Sequence, residues 1–273
     1  MPSLPDHLSY SSINSYHYCA RSWRYHYIDK VPAPTAPALI FGGAYHATIE
    51  AFIEACATGK ACAEDTPALL KLWSDRWQEK LDREHDIDWS NDDPDDLAAL
   101  GAKMLGKLQV TGNGPKREMA AAEFLSGIVP RVTDGKPEIE RRIELHVPGV
   151  PVPIIGYIDI ITADGVPCDF KTASRSWYGD KADGEMQPTF YLAAMAQNGE
   201  PVPDGKFRYY VFTKTKSPKA QVIETSRTAS DMFWLFEMVQ ETWKSIEAGS
   251  FAPNPTGWKC SEKYCQYWPI CRG

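Results

Sequence analysis

The chain has 273 residues, 43% of them hydrophobic and 12% aromatic, which is enough to bury one large core or a core plus a small appendage, and one globular unit is expected. No run approaches the roughly 20 apolar residues of a membrane span. The opening MPSLPDHLSYSS lacks the basic and apolar regions of a signal peptide, so a cytoplasmic protein with no membrane partner is expected. The formal charge of −7 would speak against a nucleic-acid partner if it were spread over the chain, but residues 82–96 hold eight acids and one arginine. The remainder is neutral, and the acidic segment reads as a solvated loop or helix entry.

Residues 9–29 open with serines able to cap a helix and continue with Tyr16, Cys19, Trp23 and Tyr27 at steps of three and four. This predicts one helix with those four on a single face, where core packing is the ordinary role. After a proline-rich linker at 31–37, a second helix carries apolar Ile40, Phe41, Ile49, Phe52 and Ile53, together with His46. A lone histidine on such a helix is more often structural than a ligand. Residues 66–132 are expected to be helical throughout, with Leu69, Leu70, Trp73, Trp77 and Leu81 as one stripe and a further helix over 95–110. No chemistry is legible in them. Residues 138–147 alternate as a strand, with Ile139, Ile143, Leu145 and Val147 on one face and Glu138, Glu140, Arg142 and Glu144 on the other.

The stretch from Gly156 to Lys171 reads as a β-hairpin, two apolar runs joined by an Ala-Asp-Gly turn at 163–165. Alternation puts Tyr157, Asp159 and Ile161 on one face and Ile154, Ile158 and Ile160 on the other. In the second strand Asp169 and Lys171 point the same way and Phe170 the opposite way. Pairing can bring Asp159 close to both. Two half-buried carboxylates facing each other repel unless a cation sits between them, and a hard divalent ion such as Mg²⁺ or Mn²⁺ takes oxygen ligands. The alternative is an ion network in which both aspartates simply pair with Lys171.

Residues 183–198 predict a helix with Gln187 and Tyr191 four apart on one face. Strands follow at 206–214 and 221–225 around a basic turn carrying Lys214, Lys216 and Lys219, and then a helix over 230–248 with Phe233, Trp234 and Phe236 for the core. In the tail Cys260, Cys265 and Cys271 are separated by four and five residues among prolines and aromatics. Three thiolates in a cytoplasmic chain suggest a metal, and Cys19 completes a set of four. Cys56, Cys62 and Cys168 remain as core thiols. No helicase motif such as a Walker A loop is present.

Gly156-x-x-Asp159, followed by Asp169-x-Lys171, resembles the core motif of the PD-(D/E)xK nuclease superfamily in its RecB-like exonuclease branch. The resemblance spans the chain outside the 66–132 segment. It implies a restriction-endonuclease-like fold, with a mixed central sheet flanked by helices, 66–132 as a helical insertion, and residues 250–273 packing on 9–29. Gly42 to His46 fits the branch's Gly-x-x-x-His helix, whose histidine is a metal ligand, and Glu140 matches its site glutamate. The metal set implied is His46, Asp159, Asp169 and the carbonyl of Phe170. Glu140, Asp159, Asp169 and Lys171 are the implied catalytic groups, with Lys171 orienting the attacking water. Gln187 and Tyr191 match a Gln-x-x-x-Tyr motif that contacts DNA. The one-plus-three layout of Cys19, Cys260, Cys265 and Cys271 resembles the iron-sulfur members, including CRISPR-associated exonucleases and AddB-type helicase-nucleases. A 4Fe-4S cluster is thus implied; zinc is the alternative, although the tight Cys-x-x-Cys pairs of most zinc sites are missing. The activity implied is metal-dependent exonuclease cleavage of single-stranded DNA or DNA ends, in a prokaryotic or phage-infected cell. A helicase, CRISPR or recombination protein would be the partner. The rival is a non-catalytic iron-sulfur accessory protein that binds DNA.

Overall fold

The computed structural model describes residues 4–112 and 115–273. Helices α1 (Tyr10–Tyr18) and α2 (Ala20–Tyr27) meet at Cys19, and α3 (Pro37–Ala57) and α4 (Thr66–Arg83) follow. Next come α5 (Pro94–Met104), strands β1 (Lys107–Thr111) and β2 (Arg117–Ala120), α6 (Ala121–Ser126), and the short strands β3 (Val132–Thr133) and β4 (Lys136–Pro137). The hairpin region comprises β5 (Ile139–Leu145), β6 (Ile154–Ile161) and β7 (Pro167–Ala173). After it stand α7 (Lys181–Gly184), α8 (Gln187–Gln197), β8 (Lys206–Thr213), β9 (Lys219–Ser226), α9 (Ala229–Glu247) and α10 (Trp268–Arg272). No helix among the described residues is long and apolar enough to cross a membrane.

Seven strands form one mixed sheet in the order β2-β1-β9-β8-β7-β6-β5. The β1–β9 and β7–β8 pairs are parallel and the rest antiparallel. One face is covered by α3 to α6, whose Phe41, Tyr45, Phe52, Trp73 and Leu125 pack on Phe170 and Phe212. The other is covered by α1, α2, α8 and α9, whose Trp23, Leu192 and Trp243 pack with Ile158 and Tyr209. This mixed α/β sheet flanked by helices is the arrangement of a restriction-endonuclease-like fold.

Four expectations are corrected. Residues 66–132 are not helical throughout: α5 ends at Met104, and β1 and β2 extend the central sheet, β1 by pairing on β9 and β2 by pairing on β1. The pattern of Lys107–Thr111, exposed at Lys107, buried only at Leu108 and half-buried beyond it, is too weak to mark a strand one place in from the sheet's edge. The helix expected over 9–29 breaks at Cys19, which takes extended φ/ψ of −160° and 101° and divides the chain into two helices. Phe233 and Trp234 are 69% and 56% exposed; the core face of α9 is Leu235, Val239, Trp243 and Ile246. Of the three remaining thiols only Cys168 is a core residue, for Cys62 is exposed and Cys56 half-buried.

Strand alternation also fails at one level of the sheet. Ile154 and Ile158 pack on the α8 side, but Ile160 packs on the α3 side and Ile161 returns to the α8 side. In β5, Ile139 packs toward α3 while Ile143 and Leu145 pack toward α8. The pairs Ile139↔Ile160 and Arg141↔Ile158 bracket Glu140 and Asp159, and Glu140 takes φ +52°. A left-handed backbone in a non-glycine residue costs roughly 1–2 kcal/mol, and such strain is typical of functional sites. Both strands change faces where these two acids stand.

Candidate active site

Helix α3 starts with Pro37 at its first turn and buries Ile40, Phe41, Ala44, Tyr45, Ile49, Phe52 and Ile53. His46 and Glu50, one turn apart, lie at the edge of that face and meet β6. One ligand atom from each of His46, Glu50 and Asp159 lies within 4.8 Å of the others, the only such group of three or more His, Cys, Asp or Glu among the described residues. His46 Nδ1 is 3.6 Å from Asp159 Oδ2. Burial pushes the His46 imidazole down to about 4, so near neutral pH it is uncharged and keeps a lone pair for a cation.

Asp159 owes its position to the end of the β6–β7 ladder. Pairing runs from Ile161↔Pro167 to Ile160↔Cys168 and stops. Beyond that point the Phe170 N–H donates to Asp159 Oδ2 at 2.6 Å. Burial raises the Asp159 carboxyl well above the usual range, and the charge of Asp169 adds to this; the Phe170 N–H and Lys171 oppose it. The Glu50 carboxyl is raised to about 8 by burial first, then by the charge and hydrogen bond of Glu140. Its Oε1 is buried with no hydrogen-bond partner. A histidine lone pair, an unpartnered carboxylate oxygen and the raised carboxyls of Asp159 and Glu50 make a donor set that a divalent cation would satisfy.

Asp169 and Lys171 share a side, as alternation requires, and Phe170 is buried on the opposite face. Lys171 Nζ donates to Asp169 Oδ1 at 3.0 Å and lies 2.8 Å from Oδ2, so the ion pair spans both oxygens. Gln187, the first residue of α8, donates to Asp169 Oδ1 at 2.6 Å. Its amide nitrogen is 3.1 Å from the Tyr191 hydroxyl, which donates to the Tyr157 carbonyl at 2.7 Å. Tyr191 fits because residue 156 is glycine: a Cβ there would stand 2.9 Å from Tyr191 Cε1. Gln187 and Tyr191 are buried, and in this structure they hold Asp169 and β6 rather than face solvent.

Glu140 is solvent-exposed and reaches the site through Glu50. Glu50 itself had no place in the sequence reading. The available signal was its position one turn after His46, which any helix supplies many times over.

The four cysteines line a separate cavity. Cys19 stands at the α1–α2 break, and Cys260, Cys265 and Cys271 face it across one cavity of about 520 Å³. Burial raises the Cys265 thiol, and the neighbouring Cys19, Cys260 and Cys271 reinforce the shift. The tail is tied to the first helices by Tyr16 OH on the Ser250 carbonyl at 2.6 Å, Asn254 Nδ2 on the Tyr18 carbonyl at 2.9 Å, and Lys259 N on the Tyr18 hydroxyl at 2.8 Å. Phe251 stacks on Trp23 with ring centroids 5.9 Å apart.

No curated protein matches the chain in sequence. Among solved structures, the chain is similar to a “Putative exonuclease” from Eubacterium rectale, with a TM-score of 0.52 and 10% identity over 98% of this chain and 94% of that one. At that identity the likeness concerns the fold. The sequence profile of the PD-(D/E)XK nuclease superfamily matches residues 7–272, and the chain, with its acids and lysine on the central hairpin, belongs to that superfamily.

Proposed function

We propose that the protein is a divalent-metal-dependent deoxyribonuclease that degrades single-stranded DNA or DNA ends as an exonuclease. The observation that carries this reading is the convergence of His46, Glu50 and Asp159 within 4.8 Å, beside the Asp169–Lys171 pair. His46, Asp159, Asp169 and the Phe170 carbonyl would hold Mg²⁺ or Mn²⁺, with Glu50 joining the set. Such an ion supplies Lewis acidity at a phosphoryl oxygen and makes water a nucleophile near neutral pH.

The protein's own part is positioning. Neutral His46 offers a lone pair without bringing a positive charge. Asp169 is held at Oδ1 by Gln187 and straddled at both oxygens by Lys171, which fixes the plane of its carboxylate. Lys171, a third exposed at its side chain, is free at its outer side to orient water or meet a phosphate oxygen. Glu140 stands where a strained backbone presents its carboxylate toward Glu50. Gln187 and Tyr191 act as positioning residues, and any DNA contact by them runs along the strand lying over Asp169.

The thiol site is read as a 4Fe-4S centre held by Cys19, Cys260, Cys265 and Cys271. The four cysteines line one cavity of about 520 Å³. In a cubane each of the four thiolates reaches a separate iron, and the tight Cys-x-x-Cys pairs of most zinc sites are missing from the sequence. A helicase, CRISPR or recombination partner would supply separated strands. End-labelled DNA incubated with Mg²⁺ or Mn²⁺ tests the reading: shortening from one end supports it, and intact DNA bound by the protein would favour the accessory-protein alternative.

A further inference from the structure

Beside the metal site lies a cavity of about 420 Å³ whose walls differ in charge. One wall is the active-site edge, with Glu50 of α3 and Glu140 of β5. The other is α4, which presents Arg76, Lys80 and Arg83. These three are at i, i+4 and i+7, one face of a helix, adjoining the stripe of Leu69, Trp73 and Trp77 that anchors α4 to the core. The stripe fixes the helix and so fixes where its cations point.

Arg76 is engaged with Glu79 at 2.7 Å. Lys80 and Arg83 make no ion pair among the described residues, even though Glu54 also lines the cavity. Cations present only to neutralise the acidic wall would be paired with it. Lys80 instead lays its amine across α3: its Cε and Nζ are 3.3 Å from where a Cβ on Gly43 would stand, one turn before His46. The missing side chain at Gly43 makes room for that approach.

We propose that Lys80 and Arg83 form a phosphate-binding wall, holding the backbone of a DNA strand at the phosphates that flank the bond being cut. This rests on the nuclease reading and deepens it, for it says which side of the metal site the strand occupies. It also gives a role to α4, where the sequence shows only an amphipathic stripe.

The test measures binding of a labelled oligothymidylate by fluorescence anisotropy across a salt series, with Ca²⁺ replacing Mg²⁺, and cleavage separately with Mg²⁺ or Mn²⁺. Lys80→Glu and Arg83→Glu should each weaken binding by about tenfold and lower the slope of log K against log salt by about 1 or more. Lys80→Arg should restore both. Lys71→Glu, on the opposite face of α4, should change the slope less, and melting curves should show all variants folded. Slopes unchanged from wild type, or lowered equally by Lys71→Glu, would overturn the wall while leaving an active nuclease standing. Binding with the expected slopes but without cleavage would support the wall and overturn the nuclease reading. A wild-type protein that neither binds nor cuts DNA would overturn both.

Discussion

Each acid at the site is held by something different, so single substitutions should separate their roles. Asp159→Asn keeps an oxygen for the Phe170 N–H but removes a buried charge that Asp169 and Glu50 repel. In metal-free buffer it should melt at or above wild type, and the rise in melting temperature that Mg²⁺ or Mn²⁺ gives wild type should disappear. A variant that still responds fully to metal would remove Asp159 from the ligand set. Lys171→Ala should keep that thermal response while losing most cleavage. His46→Ala and Glu50→Gln should each weaken metal binding by about tenfold or more in a calorimetric titration. If His46→Ala lowers the melting temperature and leaves metal affinity alone, the histidine is structural.

At the scale of elements, the site depends on three pieces meeting where a sheet changes face. Helix α3 brings His46 and Glu50, the splayed ends of β6 and β7 bring Asp159 and Asp169, and the first turn of α8 brings Gln187. Phe52, fully buried on α3, tests the helix's anchorage without touching the acids. Phe52→Ala should cost about 3–5 kcal/mol in denaturant unfolding, with metal affinity little changed at temperatures where the protein stays folded. Gly156 tests the other side. Gly156→Ala sets a methyl group 2.9 Å from Tyr191 Cε1 and must push that ring, its bond to the Tyr157 carbonyl and with it Gln187. It should destabilise by about 1–3 kcal/mol, and the same variant should lower cleavage more than metal affinity.

For the whole molecule, the chain's two ends converge at the thiol site, 241 positions apart between Cys19 and Cys260. Closing so long a loop costs little more entropy than closing a short one, because the cost grows only with the logarithm of length. Protein purified without oxygen should be brown with about four irons per chain, and replacing Cys19, Cys260, Cys265 or Cys271 by Ser should bleach it and lower its melting temperature. Cys56→Ser, Cys62→Ser and Cys168→Ser should stay coloured. Colourless protein with one zinc would make the site a structural zinc, and a brown Cys19→Ser with undiminished iron would remove Cys19 from the set.

The sequence by itself determined what short-range periodicity encodes. Alternation around an Ala-Asp-Gly turn made the hairpin and set Asp169 and Lys171 on one side; spacing of three and four made α3, α4 and α8 and placed His46, Gln187 and Tyr191 on them. These patterns are legible because each depends on neighbours within a turn or a pair of strands. Tertiary structure alone decided the rest. Strand β1 joins the sheet by pairing on β9, more than a hundred residues away, β2 follows by pairing on β1, and their own burial is too slight to announce them. The change of face at Glu140 and Asp159 reverses the alternation because the β6–β7 ladder ends there and Asp159 takes over the Phe170 N–H. Glu50 beside Asp159, and Lys80 across Gly43, follow from how helices cross over a sheet, and contacts between residues so far apart in the chain leave no period to read.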